Sequence, residues 1–367
     1  MKPTRSMQLK ASFIFCVLLG FITPSAAMAA SQEAMIGQML MLGFQGGSAN
    51  GASAKRLASQ IKRGEVGSVV FLGYNFKSKG QVKALTSLFK NAAGNNKLFL
   101  ALDMEGGSVQ RLGRKLGYPS IPSARSIAKS RSPASARKTY TQMAKISLDA
   151  GFNMNLGPVV DLLINPSNPV IGRWNRSYGK DPALVADYAR SFVRAHKDMG
   201  IITVLKHFPG HGSSLSDSHE GFVNITNTWK QTELDPFKEL IKSGDAPAIM
   251  PGHLIHKKIA SDGVPVSISK PAIAGLLRKD LNYNQLVISD DLQMGAIAQN
   301  FGYKETLIRA VNAGIDILMI SNSRKPDANL PAKTIAIIQK AIKDGKIAPG
   351  KIEAAYKRIM RAKATVN

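Results

Sequence analysis

The chain has 367 residues, of which 44% are hydrophobic, enough to bury the core of one large domain or of two ordinary ones. It carries 49 basic and 24 acidic residues, a formal net charge of +25. The lysines are spread along predicted helices and no basic run is interleaved with aromatic residues, which argues against nucleic-acid binding. The charge is typical either of a solvated basic surface or of one that attracts an anionic polymer such as cell wall or acidic glycan.

The start of the chain has the pattern of a secretory signal peptide. Lys2, Arg5 and Lys10 form a positive beginning, a short apolar run follows over 11–22, and residues 24–29 end in an Ala-x-Ala cleavage pattern. The apolar run is too short and wrongly flanked for a membrane-spanning helix, so we expect no stable membrane insertion. The alternative is an uncleaved N-terminal anchor.

We therefore expect residues 1–30 to be a signal peptide and residues 31–367 to form one domain, periplasmic or secreted. Cleavage would remove three basic and no acidic residues, which lowers the net charge from +25 to +22. It would also remove Cys16, the only cysteine, and an exported protein of this size does not need disulfides.

From residue 35 onward, apolar segments typical of buried strands alternate with helical patterns. The predicted strands cover residues 39–44, 66–72, 98–103, 155–163, 201–205, 248–250, 286–290 and 315–320. The predicted helices cover residues 52–63, 79–93, 134–150, 182–198, 234–243, 270–279, 305–313, 334–343 and 352–363. Continuously apolar strands separated by helices predict a parallel sheet that is covered on both faces.

Eight such units predict an α/β fold, a single TIM-type (β/α)8 barrel with loop insertions. A doubly wound open sheet is the alternative, but the chain has neither a Gly-x-Gly-x-x-Gly after the first strand nor a Walker loop. In a barrel the carboxyl ends of all strands meet at one mouth. We therefore expect one pocket to collect the polar residues that follow predicted strands, namely Asp103, Asp161, Lys206, His253, Asp290 and Asn322.

The stretch 206–219 holds the densest group of chemically active side chains. The strand before it is predicted to stop at Leu205, and the prolines, glycines and serines that follow predict a mobile loop. His207 and His211 have a spacing that binds zinc from one face of a helix, but Pro209 and Gly210 exclude a helix there. A serine hydrolase is also disfavoured, because no Gly-x-Ser-x-Gly is present.

Acid/base chemistry is the third possibility for this loop. Asp217 and His219 are two residues apart, so the carboxylate can orient the ring and leave its second nitrogen to exchange a proton near neutral pH. A capping aspartate beside a surface histidine is the alternative for this pair.

Asp290 ends a predicted buried strand, and Asp291 is its neighbour. Because side chains alternate along a strand, only one of the two can point into the mouth of a barrel. We assign Asp290 to chemistry, as a nucleophile or charge stabiliser, and Asp291 to capping or support. The alternative for Asp290 is the N-cap of a helix that begins near residue 292.

Four stretches resemble, in order and rough spacing, the signatures of the β-N-acetylglucosaminidase (β-N-acetylhexosaminidase) branch of glycoside hydrolase family 3. The stretches are Lys206-His-Phe-Pro-Gly-His-Gly with Asp217-Ser-His219, Asp103-Met-Glu-Gly-Gly-Ser-Val-Gln-Arg111, Asn175-Arg-Ser-Tyr-Gly179 and Ser289-Asp-Asp-Leu-Gln-Met294. The resemblance covers residues 35–363 and implies a single TIM barrel and a retaining glycosidase.

The resemblance also implies roles for individual residues. Asp290 would form the covalent glycosyl ester, and His219, oriented by Asp217, would protonate the leaving oxygen and then activate water, in place of the usual second carboxylate. His211 would structure the loop. No metal or organic cofactor is implied, and we expect a monomer that binds a glycan containing N-acetylglucosamine (GlcNAc) through its hydroxyl groups and 2-acetamido group, using Asp103, Arg111, Arg176, Lys206 and His207.

Two features depart from the family pattern. Ser108 stands where the family often has arginine, and many relatives are similar to cytoplasmic recyclers of wall fragments, whereas this chain begins with a signal-peptide pattern. An exported enzyme would meet intact peptidoglycan, released muropeptides or chitooligosaccharides. The alternatives are a β-N-acetylglucosaminide phosphorylase, a broader β-hexosaminidase or β-glucosidase, and a basic wall-binding protein on an inactive barrel.

Overall fold

The structure is a computed structural model that describes Met1, residues 30–217 and residues 221–366. The chain divides into two compact units, Met1–Ala30 and Ser31–Asn367. The predicted signal peptide lies almost entirely outside the described residues and stays a prediction. In the described part of the chain, no helix combines the length and the apolar character needed to cross a bilayer.

The second unit is built on eight parallel strands, β1 to β8 in chain order. Their bounds are Leu40–Leu42, Ser68–Phe71, Phe99–Leu102, Met154–Asn155, Ile202–Phe208, Ala248–Pro251, Leu286–Val287 and Leu318–Ile320. Their order in the sheet is β7-β6-β5-β4-β3-β2-β1-β8, so each strand pairs with its neighbour in sequence and β8 returns to β1. A parallel bridge between Ile288 and Ile317 joins the two ends of this order and closes the ring. The predicted TIM-type barrel is confirmed.

Helices follow most of the strands and bury one apolar face each. Their bounds are Gln32–Gln38, Ala52–Lys62, Lys79–Ala93, Ala124–Ser130, Pro133–Asp149, Pro182–Lys197, Asp235–Lys242, Gly295–Ala298, Tyr303–Ala313, Leu330–Lys343 and Pro349–Lys363, with a π-helix at Pro271–Asp280. The helix Lys79–Ala93 shows how the sequence sets a boundary: Ser78 accepts a hydrogen bond from the Gln81 backbone, and the Gln81 side chain accepts one in return. Sequence periodicity predicted the long helices, and missed the short ones at Gln32–Gln38 and Ala124–Ser130.

The prediction that the fifth strand stops at Leu205 is wrong. Strand β5 continues to Phe208, and all seven of its residues are buried. Lys206 and His207 are accommodated in the barrel because carboxylates on other segments pair with them, as described below. The residues that follow, 209–214, are also buried, so this part of the predicted mobile loop is packed into the fold.

The predicted fourth strand is shorter than expected. Regular pairing is confined to Met154–Asn155, after which Val159 makes an isolated parallel bridge to Lys206. Proline at position 158 has no backbone N–H to continue a ladder. The chain nevertheless stays buried as far as Leu162, so the segment lines the barrel without forming a long strand.

Candidate active site

A cavity of about 480 Å³ opens at the carboxyl ends of the strands. It gathers seven of the eight residues predicted to bind or act on a substrate, namely Asp103, Arg111, Arg176, Lys206, His207, Asp217 and Asp290. The eighth, His219, lies outside the described residues. The rule that strand ends converge therefore brings together residues from widely separated parts of the sequence.

The same rule fails for three of the polar residues that follow strands. Asp161 and His253 are fully buried and do not line the cavity. Asn322 lines a separate cavity of about 110 Å³. The direction of a side chain at a strand end depends on register, which the sequence pattern does not define.

Five charged side chains form a network on the cavity wall, which we call the charged floor. The Lys206 ammonium donates to Asp103 Oδ1 at 3.0 Å and lies 2.8 Å from Glu105 Oε1. Arg176 holds Glu105 through two hydrogen bonds of 2.8 Å, and Arg111 Nη2 lies 3.3 Å from Asp103 Oδ2. Three cations thus face two carboxylates in a largely buried place, where the side chain of Lys206 is only 5% exposed.

Electrostatics keeps the charged floor ionised. Burial alone would raise the pKa of Asp103, but Lys206 and Arg111 outweigh it and the pKa is lowered. The pKa of Glu105 is likewise far below its usual range, because Arg176 and Lys206 outweigh burial. Burial would lower the pKa of Lys206, yet Glu105 and Asp103 raise it. The floor therefore presents carboxylate acceptors and cationic donors together at neutral pH, a combination suited to sugar hydroxyl groups.

A tight hairpin brings the members of the floor together. Asp103 ends the third strand region, and the short strands Met104–Gly106 and Val109–Gln110 pair antiparallel directly after it. The return strand carries Arg111 back, so that its backbone N–H donates to the Asp103 carbonyl at 3.4 Å. Glu105 is the member that the sequence prediction left without a role. The spacing of two between Asp103 and Glu105 was the available signal, since it places both side chains on one face of an extended segment.

The hairpin turn requires its glycines. Gly106 and Gly107 have φ values of +96° and +59°. A Cβ on Gly106 would lie 2.4 Å from the Pro122 carbonyl oxygen, and one on Gly107 would lie 2.6 Å from Ser123 Cβ. The turn therefore tolerates no side chain at either position.

A second cluster centres on Asp161, which was expected to line the pocket but is fully buried. Its carboxylate accepts hydrogen bonds from the His207 backbone at 3.1 Å, from His207 Nδ1 at 2.7 Å and from the His211 backbone at 2.8 Å. Burial would raise the pKa of Asp161, but His207 and His211 outweigh it and lower the pKa. Because an ionised carboxylate only accepts, His207 carries a proton on Nδ1, and its ring is held in one orientation at the cavity wall.

His211 has the structural role that the sequence suggested. Its Nδ1 lies 2.7 Å from Ser214 Oγ, and its side chain is buried. Burial, with the nearby His207, lowers the pKa of His211 to about 4. The ring is therefore neutral at neutral pH, and its bonds organise the segment after β5.

Glu233 anchors the same segment from a distance in sequence. Its Oε2 accepts a hydrogen bond from the Ser213 backbone at 3.2 Å, and it packs so closely on Gly210 that a Cβ there would lie 2.6 Å from Glu233 Cβ. Gly212 is held equally closely, because a Cβ would lie 1.8 Å from the Leu162 carbonyl oxygen. These contacts explain why the predicted mobile loop begins as a packed segment.

Asp217, one member of the predicted acid/base pair, follows this packed segment in the chain. Asp217 lines the cavity and is partly exposed. Ser218–Glu220 lie outside the described residues, so the orientation of His219 toward Asp217 stays a prediction.

Asp290 and Asp291 both line the cavity, although only one of them was expected to point into the mouth, and they differ in their hydrogen bonds. Asp290 lines the cavity, and its Oδ1 accepts the Asp291 backbone N–H at 2.8 Å. Asp291 Oδ1 accepts the backbone N–H groups of Gln293 at 3.1 Å and Ser321 at 2.9 Å. The Asp291 carbonyl also lies 2.9 Å from His253 Nε2. Asp291 is therefore occupied in building the turn that carries Asp290.

The alternative that Asp290 caps a helix is not observed. The next helix, Gly295–Ala298, has Met294 at its N-cap without a side-chain capping bond. The structure also lacks, among the described residues, any group of three or more His, Cys, Asp or Glu side chains arranged to hold a metal ion.

Comparisons with known proteins agree on one family. The model of the glycosyl hydrolase family 3 N-terminal domain matches residues 32–362. The chain is 35% identical over 269 residues to a β-hexosaminidase of Tolumonas auensis, covering 72% of this chain and 78% of the relative. It is 32% identical over 287 residues to the β-hexosaminidase LpqI of Mycobacterium tuberculosis, covering 76% and 71%.

Solved structures show the same relationship. A glycoside hydrolase family 3 β-N-acetylglucosaminidase from a Paenibacillus species superposes with a TM-score of 0.83 at 29% identity, covering 92% of this chain and 63% of that protein. The β-N-acetylhexosaminidase of Beutenbergia cavernae superposes with a TM-score of 0.79 at 28% identity, covering 92% and 99%. The chain thus spans less than two thirds of the first protein and nearly all of the second.

Proposed function

The chain belongs to glycosyl hydrolase family 3 and is a glycoside hydrolase of the β-hexosaminidase kind, and from this premise we propose that it is an exported, retaining β-N-acetylglucosaminidase. Its substrates would be peptidoglycan fragments or chitooligosaccharides, from which it removes a terminal β-linked GlcNAc. The observation that carries the proposal is that Asp290 and Asp217 line the same cavity as the charged floor.

The charged floor supports recognition of one terminal sugar. Its carboxylates accept hydrogen bonds from hydroxyl groups, and its cations donate to hydroxyl or acetamido oxygens. Because the five groups hold one another by ion pairs, the site is ordered before substrate arrives, and little side-chain entropy is lost on binding. The Nδ1 bond from His207 to Asp161 fixes a further ring at the wall for the same purpose.

In the first step of the proposed reaction, the Asp290 carboxylate attacks the anomeric carbon and forms a glycosyl ester. The bond from that carbon to the leaving oxygen breaks, its electron pair goes to the oxygen, and His219 supplies the proton. In the second step His219 takes a proton from water, whose oxygen attacks the same carbon and returns the electron pair to Asp290. Two inversions retain the β configuration.

Support for the two roles differs in kind. For Asp290 it comes from its position on the cavity wall and from the bonds by which its neighbour Asp291 builds the turn that carries it. For His219 it comes from the position of Asp217 on the cavity wall and from the sequence resemblance. A histidine suits the acid/base role, because its ordinary pKa is close to neutral pH.

The preference for anionic wall fragments rests on charge. The domain after the predicted cleavage site has a net charge of +22, that is +25 less the three basic residues before it. Such a field raises the local concentration of anionic substrates at low ionic strength. The proposal therefore predicts a KM for muropeptides that rises with salt, and a KM for neutral chitooligosaccharides that does not.

Hydrolysis of aryl β-N-acetylglucosaminides tests the reaction. We expect turnover by the parent and a loss of at least about 10³-fold in Asp290→Ala. His219→Ala should lose least with the most acidic leaving group, which needs no protonation. An inactive parent, or an Asp290→Ala variant that keeps its rate, would overturn the mechanism. Product analysis with and without phosphate separates hydrolysis from phosphorolysis.

A further inference from the structure

Trp174 lies at the mouth of the cavity and has no part in the reaction proposed above. It lines the cavity, yet 57% of it is exposed. Of the large hydrophobic side chains that are exposed within the described residues, it is the one that lines this cavity. An aromatic side chain at the edge of a polar site offers a ligand a flat apolar face beside the polar groups.

Trp174 is one of three apolar residues of its segment that line the cavity. Pro169 and Val170, from the same segment, also line the cavity. We call Pro169, Val170 and Trp174 the apolar lip. The chemistry of the lip suits a C–H surface more than hydroxyl groups.

Hydrogen bonds hold the lip in place. Asn168 Oδ1 accepts the backbone N–H groups of Val170 and Ile171 at 2.8 Å each, and its Nδ2 donates to the His211 carbonyl at 2.7 Å. Arg176 Nη1 donates to the Val170 carbonyl at 3.2 Å. The lip is therefore tied both to the segment that leads to Asp217 and to the charged floor.

The turn that carries Trp174 is also defined. Asn175 has a φ of +56°, and its carbonyl accepts the Arg125 backbone N–H at 3.2 Å. Gly172 packs so closely that a Cβ would lie 2.4 Å from the Pro166 carbonyl oxygen. The Trp174 backbone is thus held on both sides, and its indole is presented by a fixed turn.

The depth of the cavity indicates which sugar the lip would meet. The side chains of Glu105, Lys206 and Arg176 are 6%, 5% and 12% exposed, so the floor is deep. An enzyme that removes a terminal sugar binds that sugar at the floor, and the rest of the glycan leaves through the mouth. A side chain at the mouth therefore faces the leaving group.

We propose that Trp174 forms the binding site for the leaving-group sugar, with its indole stacked on the pyranose ring next to the terminal GlcNAc. This inference rests on the proposed function and makes Trp174 a specificity-determining residue. The face of an indole ring binds the apolar C–H face of a pyranose, and it is rigid enough to do so with little loss of entropy. Trp174 thereby favours glycans over small leaving groups.

Two substrates that differ only in the leaving group test the inference. Diacetylchitobiose presents a sugar to the mouth, and β-N-acetylglucosaminyl fluoride presents a single atom. In Trp174→Ala we expect kcat/KM for diacetylchitobiose to fall about 10-fold, chiefly through KM. The kcat/KM for the fluoride and the inhibition constant of GlcNAc should stay within about twofold of the parent values, because the substitution does not alter the charged floor.

Two further variants serve as controls. Trp174→Phe keeps an aromatic face and should restore most of the activity on diacetylchitobiose. Leu184→Ala changes a hydrophobic residue that is 39% exposed but does not line the cavity, and it should leave both substrates unaffected. Partial unfolding lowers kcat for both substrates alike, so the ratio of the two kcat/KM values isolates the contact at the mouth.

Each outcome decides a separate claim. If the ratio is unchanged in Trp174→Ala while the parent is active, the leaving-group site is wrong and the proposed function stands. If GlcNAc inhibition weakens in parallel with diacetylchitobiose cleavage, Trp174 contacts the terminal sugar and the inference is overturned. An inactive parent on both substrates overturns the proposed function and, with it, this inference.

Discussion

Arg176 and Glu105 are joined by two parallel hydrogen bonds of equal length, from Nε and Nη2 to the two carboxylate oxygens at 2.8 Å. The pair is buried, and each member has a second partner: Glu105 lies 2.8 Å from the Lys206 ammonium, and Arg176 donates to the Val170 carbonyl. One ion pair therefore connects the charged floor to the apolar lip. Its geometry depends on the planar guanidinium, which a lysine cannot reproduce.

Arg176→Lys should impair both catalysis and stability. The charge is kept, but the two-bond contact and the link to Val170 are lost, so the floor shifts. We expect kcat/KM to fall about 10²-fold and the free energy of unfolding to fall by about 1–3 kcal/mol. Steady-state kinetics and denaturant unfolding measure the two effects.

A matched surface substitution controls for this change. Arg309 Nε lies 2.8 Å from Glu305 Oε1 in an exposed helical pair. Arg309→Lys should change the free energy of unfolding by less than about 0.5 kcal/mol. Equal effects of the two substitutions would contradict the special role of the Arg176 contact.

Asp161→Asn should change the tautomer of His207. The carboxylate accepts from His207 Nδ1, whereas an amide that keeps the backbone bonds to its oxygen turns its NH2 group toward that nitrogen. The proton of His207 then moves to Nε2. We expect an Nε2–H signature for His207 by NMR at neutral pH and a fall in kcat/KM of about 10-fold or more.

Asp327→Asn is the control for Asp161→Asn, because Asp327 accepts the Asn329 backbone and the Lys333 ammonium at the surface. It should leave the His207 signals unchanged. A His207 spectrum that is the same in Asp161→Asn and in the parent would show that the Asp161 bond does not set the tautomer.

Azide rescue distinguishes the nucleophile from the acid/base residue by product stereochemistry. In Asp290→Gly, azide should attack the anomeric carbon from the side that the carboxylate vacates and give the α-glycosyl azide from an activated substrate. In His219→Gly, azide should attack the glycosyl ester and give the β-glycosyl azide. Anomeric coupling constants identify the products. A β product from the Asp290 variant would assign the nucleophile to another carboxylate.

Lys363 should make stability depend on pH. Its ammonium is buried, donates to Gln38 Oε1 and to the Gly67 carbonyl at 2.6 Å each, and lies 5.3 Å from the centre of the Phe99 ring. Burial lowers the pKa of Lys363 from 10.5 to about 7. Between these values the unfolded chain holds a proton that the folded chain does not, so the contribution of Lys363 to stability rises with pH.

Lys363→Met removes this dependence. The difference in free energy of unfolding between the parent and the variant should shift in favour of the parent by at most about 3 kcal/mol between about pH 7 and about pH 9.5. Denaturant unfolding at a series of pH values measures it. Lys357→Met, on the exposed side of the same helix, should give a curve parallel to that of the parent. If the free energy of unfolding of Lys363→Met also runs parallel to that of the parent, Lys363 is not the source of the pH dependence.

Local patterns in the sequence predicted the barrel, and four motifs predicted the family, which the comparisons confirm. The same patterns misplaced the end of β5, because the burial of Lys206 depends on Asp103 and Glu105, about a hundred residues earlier in the chain. They also predicted mobility where Glu233 anchors the chain. Both errors concern contacts between residues far apart in sequence, which neither periodicity nor composition encodes.

The predictions for the site residues were correct and incorrect for the same reason. Asp103, Lys206 and Asp290 could be placed at the mouth because they follow predicted strands, whereas His253 could not be placed behind Asp291 on that ground. Asp161 was expected in the pocket and lies beneath it, where it orients His207. Strand ends can thus be found from sequence, but the direction of each side chain requires the packed barrel.

The junction between β7 and β8, where the ring closes, has a consequence for folding kinetics. The Ser289 backbone donates to the Ile317 carbonyl at 2.9 Å, and Asp291 accepts the Ser321 backbone, so the residues on either side of Asp290 are held by the two residues that flank β8. Strand β8 pairs in turn with β1, at the other end of the domain. Pairings this distant in sequence form late, since the entropy of closing the chain is lost before the contacts form. During refolding, enzymatic activity should therefore return after the helical circular dichroism signal, and partly folded chains would present no ordered nucleophile.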